Sequence, residues 1–355
     1  MPKPGQTADA AIKEITNKIL EKAADARSCY AATHELNDDV RFAEMLLVDG
    51  CFILELLYRR QKTDHPQNVD PILGNTLVFL DVRHDLLLLE NQIPMFVLQT
   101  LFDFSLVQPY PLFDLIISFF GNMLNFKLKI RKVVMPESAA HILGLLHDCY
   151  LPGNTATLER LNTNQIIKHS AVHLERAGVD FKQGKGRDQI CVNFSSSCVS
   201  RPCFHIPKLC IYDLTEPFLR NLIAFEQCSP SIPRHITSYA FLMDALLHTK
   251  EDVEVLEKAV VLENHLGASE DATRLFNTLC KEVVLGEFTF WEQWHDVEVY
   301  CNSYSGKNFA RGRRNWAELK RYYFSSRWAL ISVIAAIILF TFQAIHTIYT
   351  VRSFY

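Results

Sequence analysis

Four carboxylates sit in apolar runs where charge is costly: Asp49 and Glu55 in MLLVDGCFILELL, Glu90 in LLLLENQIP and Glu226 in NLIAFEQ. A buried carboxylate must be paired or hydrogen-bonded, and perturbed carboxylates often mark acid–base chemistry. Glu44 and Glu55 share a helix face, but eleven residues of helix separate two carboxylates by about 16 Å, too far for a paired-carboxylate mechanism. The neighbouring amides and a nearby guanidinium favour a polar network that fixes one packing arrangement. Its expected members are Asp49, Glu90, Asn91, Gln92, Arg220, Glu226 and Gln227. The alternative, an enzyme working through Asp49, Glu90 and Glu226, requires those three to converge in an open cleft.

The sequence carries no familiar catalytic or metal-binding motif. There is no GxSxG elbow, and Gly306-Lys307 lacks the earlier glycine of a phosphate-binding loop. Cys191, Cys198, Cys203, His205 and Cys210 cluster in sequence without the CxxC spacing of a zinc site, and read as inward-facing strand residues. His141 and His147, six apart, fall on different faces of a helix. No cofactor, metal or catalytic residue is expected.

The elements that hold these residues are mainly helical. Ala11–Ala24 is amphipathic, and Phe42–Tyr58 is apolar nearly all round and reads as buried. A helix ends across Asp85–Asn91, and Pro94 sits in the first turn of the next, which runs to about Phe102. Further helices are read at Leu112–Leu128, Leu158–Ala177, Leu214–Cys228, Ser238–Leu247, Lys250–Val261 and Ser269–Val284. Val179–Tyr212 breaks the pattern: VDFK, ICVNF, CFHI and LCIYD predict a small sheet of two or three strands, two of them joined at Gly184-Lys185-Gly186. No internal repeat is visible.

Trp328–Ile348 contains no Asp, Glu, Lys or Arg. A helix of that length is about 31 Å long, close to the hydrocarbon thickness of a bilayer. Before it lie Lys307, Arg311, Arg313, Arg314, Lys320, Arg321 and Arg327 against one acid, Glu318; after it only Arg352 is charged. This asymmetry predicts a single tail-anchoring span with a cytosolic N-terminal body, in the plasma membrane or an endomembrane. Trp316, Tyr322, Tyr323, Phe324 and Trp328 supply an aromatic belt, with Tyr349 and Tyr355 opposite. MPKPGQTADA has no apolar signal region. Arg311, Arg313, Arg314, Lys320, Arg321 and Arg327 are expected to face anionic lipid. Of the 36 basic residues only 28 precede residue 307, against 39 of the 40 acids, and so acidic a body excludes nucleic acid as a partner. Ten scattered cysteines suit a reducing compartment, and the sequon Asn193-Phe194-Ser195 offers a test of topology.

The expected organisation is therefore an amphipathic helix (1–26), a helical domain (27–302) with a β insertion at about 179–212, a basic juxtamembrane segment (303–327), a transmembrane helix (328–348) and a short tail (349–355). MLLVDGCFILELL, DLLLLENQIPMFVLQTLF, HLERAGVDFK, LTEPFLRNLIAFEQC, FLMDALLHTKEDVEVL, LFNTLCKEV and WAELKRYYFSSRWALISVIAAIILFTFQ resemble, in order, the plant-specific family catalogued as domain of unknown function 247. The resemblance runs from about Arg27 to the end of the chain. It implies one C-terminal span, no established enzymatic activity, and for some grass members a pollen-side role in self-incompatibility. It assigns no catalytic residue. The chain departs from the family in lacking an Ile-Tyr-Arg-Val-Pro-like opening and a Gly-Pro-(Tyr/Leu)-His-His-Gly-like motif. Sequence and resemblance together predict a membrane-anchored module that binds lipid and a protein partner.

Overall fold

The computed structural model describes residues 7–30, 38–61, 70–105, 110–121, 123, 139–152, 169–184, 190–196, 201–303, 312 and 327–353. It is mainly helical with a small sheet. Helices α1 (Ala8–Leu20) and α2 (Ala23–Ser28) bury Ile15, Ile19, Ala23 and Ala26. They pack on α3 (Asp39–Gln61) as part of the main core rather than as a separate unit. That helix is one-sided, not apolar all round. Phe42, Leu46, Ile53 and Leu57 are buried, whereas Val48 is 65% exposed and Phe52 faces solvent with it. Apolar residues outnumber the inward positions, so sequence alone overstates its burial.

After α4 (Thr76–Asp85) a 3₁₀ turn at Leu89–Asn91 leads to Pro94 and α5 (Met95–Phe104). Pro94 fits immediately before the helix because it has no amide hydrogen to lose. A Cβ on Gly50 would overlap the Leu101 side chain, so this glycine sets how closely α3 lies on α5. Next come α6 (Leu112–Phe120), α7 (Ile142–Tyr150) and α8 (Ala171–Arg176). The helices expected over 112–128 and 158–177 fall partly on 124–138 and 153–168, outside the described residues.

All four predicted strand segments are strands: β1 (Asp180–Gln183), β2 (Asn193–Ser195), β3 (Cys203–Ile206) and β4 (Leu209–Ile211). The first three form a sheet in the order β1-β3-β2, with β1 parallel and β2 antiparallel to β3. The glycine turn therefore does not close a hairpin, because the strands on either side of it both pair with β3. Residues 185–189 lie outside the described set. Phe181, Phe204 and Phe194 stand in register across the three strands, with neighbouring ring centroids 6.2 Å apart.

Helices α9 (Thr215–Cys228), α10 (His235–Leu246) and α11 (Lys250–Lys258) lead to β5 (Leu262–Asn264), which pairs in parallel with β4. Helix α12 (Ser269–Cys280) precedes α13 (Trp291–Asn302), an element absent from the sequence reading. α13 lays Trp294 and Tyr300 near the phenylalanine row, and Tyr300 donates to the Ala177 carbonyl at 3.2 Å.

The structure exposes a local repeat that the sequence reading missed. LERAGV (174–179) and LEKAVV (256–261) each end a helix, α8 and α11, and feed a strand, β1 and β5. Both close with the same pair of hydrogen bonds: Gly178 N to Glu175 O with Val179 N to Leu174 O, and Val260 N to Glu257 O with Val261 N to Leu256 O. This is the Schellman arrangement, whose penultimate residue is left-handed and usually glycine. Gly178 meets that need at φ 94°; Val260, at φ 58°, carries a β-branched side chain there.

The last helix, α14 (Arg327–Ser353), lies where the span is expected. Among the described residues no helix is long and apolar enough to cross a membrane. Side chains of α14 are described at Ala335 and over 337–350, and all of these are exposed. Arg311, Arg313, Arg314, Lys320 and Arg321 lie outside the described residues.

Candidate functional site

Glu226, near the end of α9, is completely buried. Its carboxylate accepts from the amides of Ile236 and Thr237, each at 2.8 Å, and from the Thr237 hydroxyl at 2.6 Å. These amides belong to the first turn of α10, whose donors have no intrahelical acceptor. Arg234, the residue at the cap position, makes no side-chain cap of its own. Glu226 thus supplies the cap from another helix and places negative charge at the positive end of the dipole. From α7, buried His147 donates through Nε2 to the same carboxylate at 2.8 Å. The His147 Nδ1 lies 3.6 Å from Asp148, a charge contact rather than a hydrogen bond. Burial pushes the His147 pKa down, but Asp148 and Glu226 outweigh it and the net shift is upward.

The same device recurs in the other signature segment. Gln92 Oε1 accepts from the Leu143 amide in the first turn of α7 at 3.1 Å, while its amide nitrogen donates to the Leu86 and Leu88 carbonyls. Asn91 donates to Asp85 O, closing the 3₁₀ turn, and Asn221 accepts from the Leu89 amide. Asp252 completes a capping box with Thr249 on α11 and also accepts from Val172 in the first turn of α8 at 2.8 Å. Burial would raise the Asp252 pKa, but hydrogen bonds from Val172, Ser170 and Thr249 leave it lowered. Gln92, Glu226 and Asp252 are therefore N-caps supplied from another element, Glu226 from the preceding helix and the other two from 51 and 80 residues away in the chain.

The remaining residues of the expected network lie elsewhere. Asp49 and Glu90 are exposed, because α3 and the 3₁₀ turn present them outward. Arg220 is exposed and pairs along its own helix with Glu216 at 2.6 Å instead of crossing the core. Gln227 bonds the Val284 carbonyl at 3.1 Å, and Glu55 pairs with Arg59 at 2.7 Å. Glu226 is sealed, so the carboxylates of the enzyme alternative do not open onto a common cleft. His141 and His147 both set their rings edge-on to Phe225, at 4.9 and 5.5 Å. Helical spacing does not apply to this pair because His141 is the extended cap residue of α7, where it accepts from Gly144.

The cysteine–histidine group is dispersed. Cys203 and His205 lie on β3, Cys210 on β4 donates to Glu263, Cys191 is exposed, and Cys198 lies outside the described residues. Among the described residues no group of three metal-ligating side chains comes together. His235, which donates to the Ile190 carbonyl, has its pKa pushed by burial to about 4, and burial does the same to His141. A buried imidazole–carboxylate pair has the composition of an acid–base dyad. Here its hydrogen bonds are spent on positioning α7, α9 and α10.

No solved structure matches the chain. It is similar to the Arabidopsis thaliana UPF0481 protein At3g47200, 26% identical over 374 aligned positions that cover 98% of this chain and 76% of the relative. A second Arabidopsis thaliana UPF0481 protein, At3g02645, is 29% identical over 171 positions, covering 48% of this chain and 30% of its own length. The family model described as a plant protein of unknown function matches residues 3–342, so it takes in α1 and much of α14 as well as the helical body. The chain belongs to this DUF247 family of plant proteins.

Proposed function

We propose that the protein is a membrane-anchored interaction module, a helical body displayed at a membrane surface to bind a protein partner. The observation that carries this reading is α14. Ile337, Ile338, Leu339 and Phe340 are consecutive and all exposed, Phe340 at 77%. Successive helical positions are about 100° apart, so these four encircle the helix, and none of its described side chains is buried against the body. Exposed apolar side chains such as these call for an apolar environment, and in the sequence the uncharged stretch Trp328–Ile348 with basic residues before it suits a bilayer. The body supports binding rather than turnover, since its buried acid and imidazole are committed to capping.

Fractionation of the full-length protein tests the anchor. The expected result is that it stays with membranes through alkaline carbonate. Ile338→Lys with Phe342→Lys, costing about 3 kcal/mol per central charge, is expected to release it. Recovery of the unmodified chain in the supernatant overturns the reading. The same sample reports topology: Asn193 is exposed on β2, so a cytosolic body predicts no mobility change on glycosidase treatment.

A further inference from the structure

Helix α4 is unusual in this body. Leu77, Val78, Phe79, Leu80 and Val82 make it largely apolar, yet none of its side chains is buried, and Leu77 is 73% exposed. Two guanidinium groups converge on its one aromatic ring. Arg60, at the end of α3, lies 5.1 Å from the Phe79 centroid, and Arg83 lies 5.7 Å from it. Among the described residues neither has a carboxylate partner. The arginine beside them is different: Arg59 is held by both Glu55 and Asp70. Arg83 is half-buried, its Nε is shielded from solvent without an acceptor, and burial together with Arg60 lowers its pKa. Two like charges are thus kept together in a body that carries 28 basic and 39 acidic residues before position 307. A cation that stabilised only this fold would be expected to find one of those acids, as Arg59 does.

We propose that α4 with the end of α3 is a docking surface for a protein segment bearing carboxylates beside apolar side chains. The inference rests on the interaction-module reading and names the chemistry of its partner. Leu77 and Val78 would cover the apolar side chains, while Arg60 and Arg83 would meet the carboxylates, a geometry that a guanidinium satisfies bidentately. Charge complementarity decides between occupants. The chain's own segment 307–327, with seven basic residues against one acid, has the wrong sign of charge for this surface.

Photo-crosslinking tests the proposal in full-length, membrane-reconstituted protein carrying benzoylphenylalanine at position 77 or, as a control, at exposed Val299 of α13. The probe is a biotinylated helical peptide of about fourteen residues with leucines at i, i+3, i+4 and i+7 and glutamates between them. The comparison peptide replaces every glutamate by glutamine. The expected result is labelling at position 77 but not 299, weaker by about ten-fold with the glutamine peptide and with Arg60→Gln plus Arg83→Gln. If that double variant does not fold, the peptide exchange alone decides, because it leaves the protein untouched. Equal labelling by both peptides, equal labelling at both positions, or none overturns the proposal. Dimer formed through position 77 without peptide assigns the face to a second copy and overturns it too. Membrane retention in the same samples separates the two readings: retention without labelling removes the docking surface and leaves the anchor.

Discussion

At the scale of single residues, Glu226 concentrates more consequence than any other side chain described. Four donors meet its two oxygens, and three helices depend on them. Glu226→Ala strands the first-turn amides of α10 and a buried imidazole, and removing one partner of a buried, hydrogen-bonded charge pair costs about 3–5 kcal/mol. Chemical denaturation of the purified protein should show that loss. The histidines predict the pH response. The raised pKa of His147 means that its contribution is complete below the unfolded value of 6.5 and is lost as pH rises through the folded value. His141 and His235, pushed to about 4, stay neutral in the fold while their unfolded counterparts take up protons below 6.5. Each therefore costs about 1.4 kcal/mol per pH unit as pH falls toward 4. Stability is expected to peak near pH 6.5, and His147→Gln should flatten only the alkaline side. The sequence pointed to Glu226, Asn91, Gln92 and Gln227 through polar residues inside apolar runs. It could not reveal His147 as the partner of Glu226 or Asp252 as the cap of α8, since a hydrogen bond that reaches 79 or 80 residues along the chain leaves no local spacing to read. Asp49, Glu90 and Arg220 show the reverse error: an apolar neighbourhood in sequence is not burial in space.

At the scale of elements, the two matched helix ends form a natural comparison. Val260 occupies the left-handed position that Gly178 fills in the sister motif, and a side chain there costs about 1–2 kcal/mol. Glycine at that site gives up part of this through its freer unfolded chain, so Val260→Gly should stabilise the protein by about 0.5–1 kcal/mol, read as a higher denaturation midpoint. Gly178→Val should cost at least as much in the opposite direction. The strands were legible because alternating β-branched runs bounded by glycine and proline leave a local trace. Their order was not: β1-β3-β2 depends on which phenylalanines meet, and register is a long-range property. β5 and α13 were missed for related reasons. Leu262–Asn264 is only three residues long and follows a helix, while α13 buries just Trp294 and Val297 and so carries almost no apolar period.

For the whole molecule, the class was readable from composition and pattern, because helical periodicity survives in α1, α9, α11 and α12 without help from tertiary contacts. The assembly of these helices was not readable, because it depends on side chains that reach across the body to complete one another's first turns. Helix starts are ordinarily where a fold loosens first. In α10 that start is closed by a carboxylate from α9 that is itself gripped by an imidazole from α7. The Ile236 and Thr237 amides cannot meet solvent until all three helices part. In deuterium exchange these two amides should be as slow as the most protected in the body, and their exchange rate should report the free energy of opening it entirely.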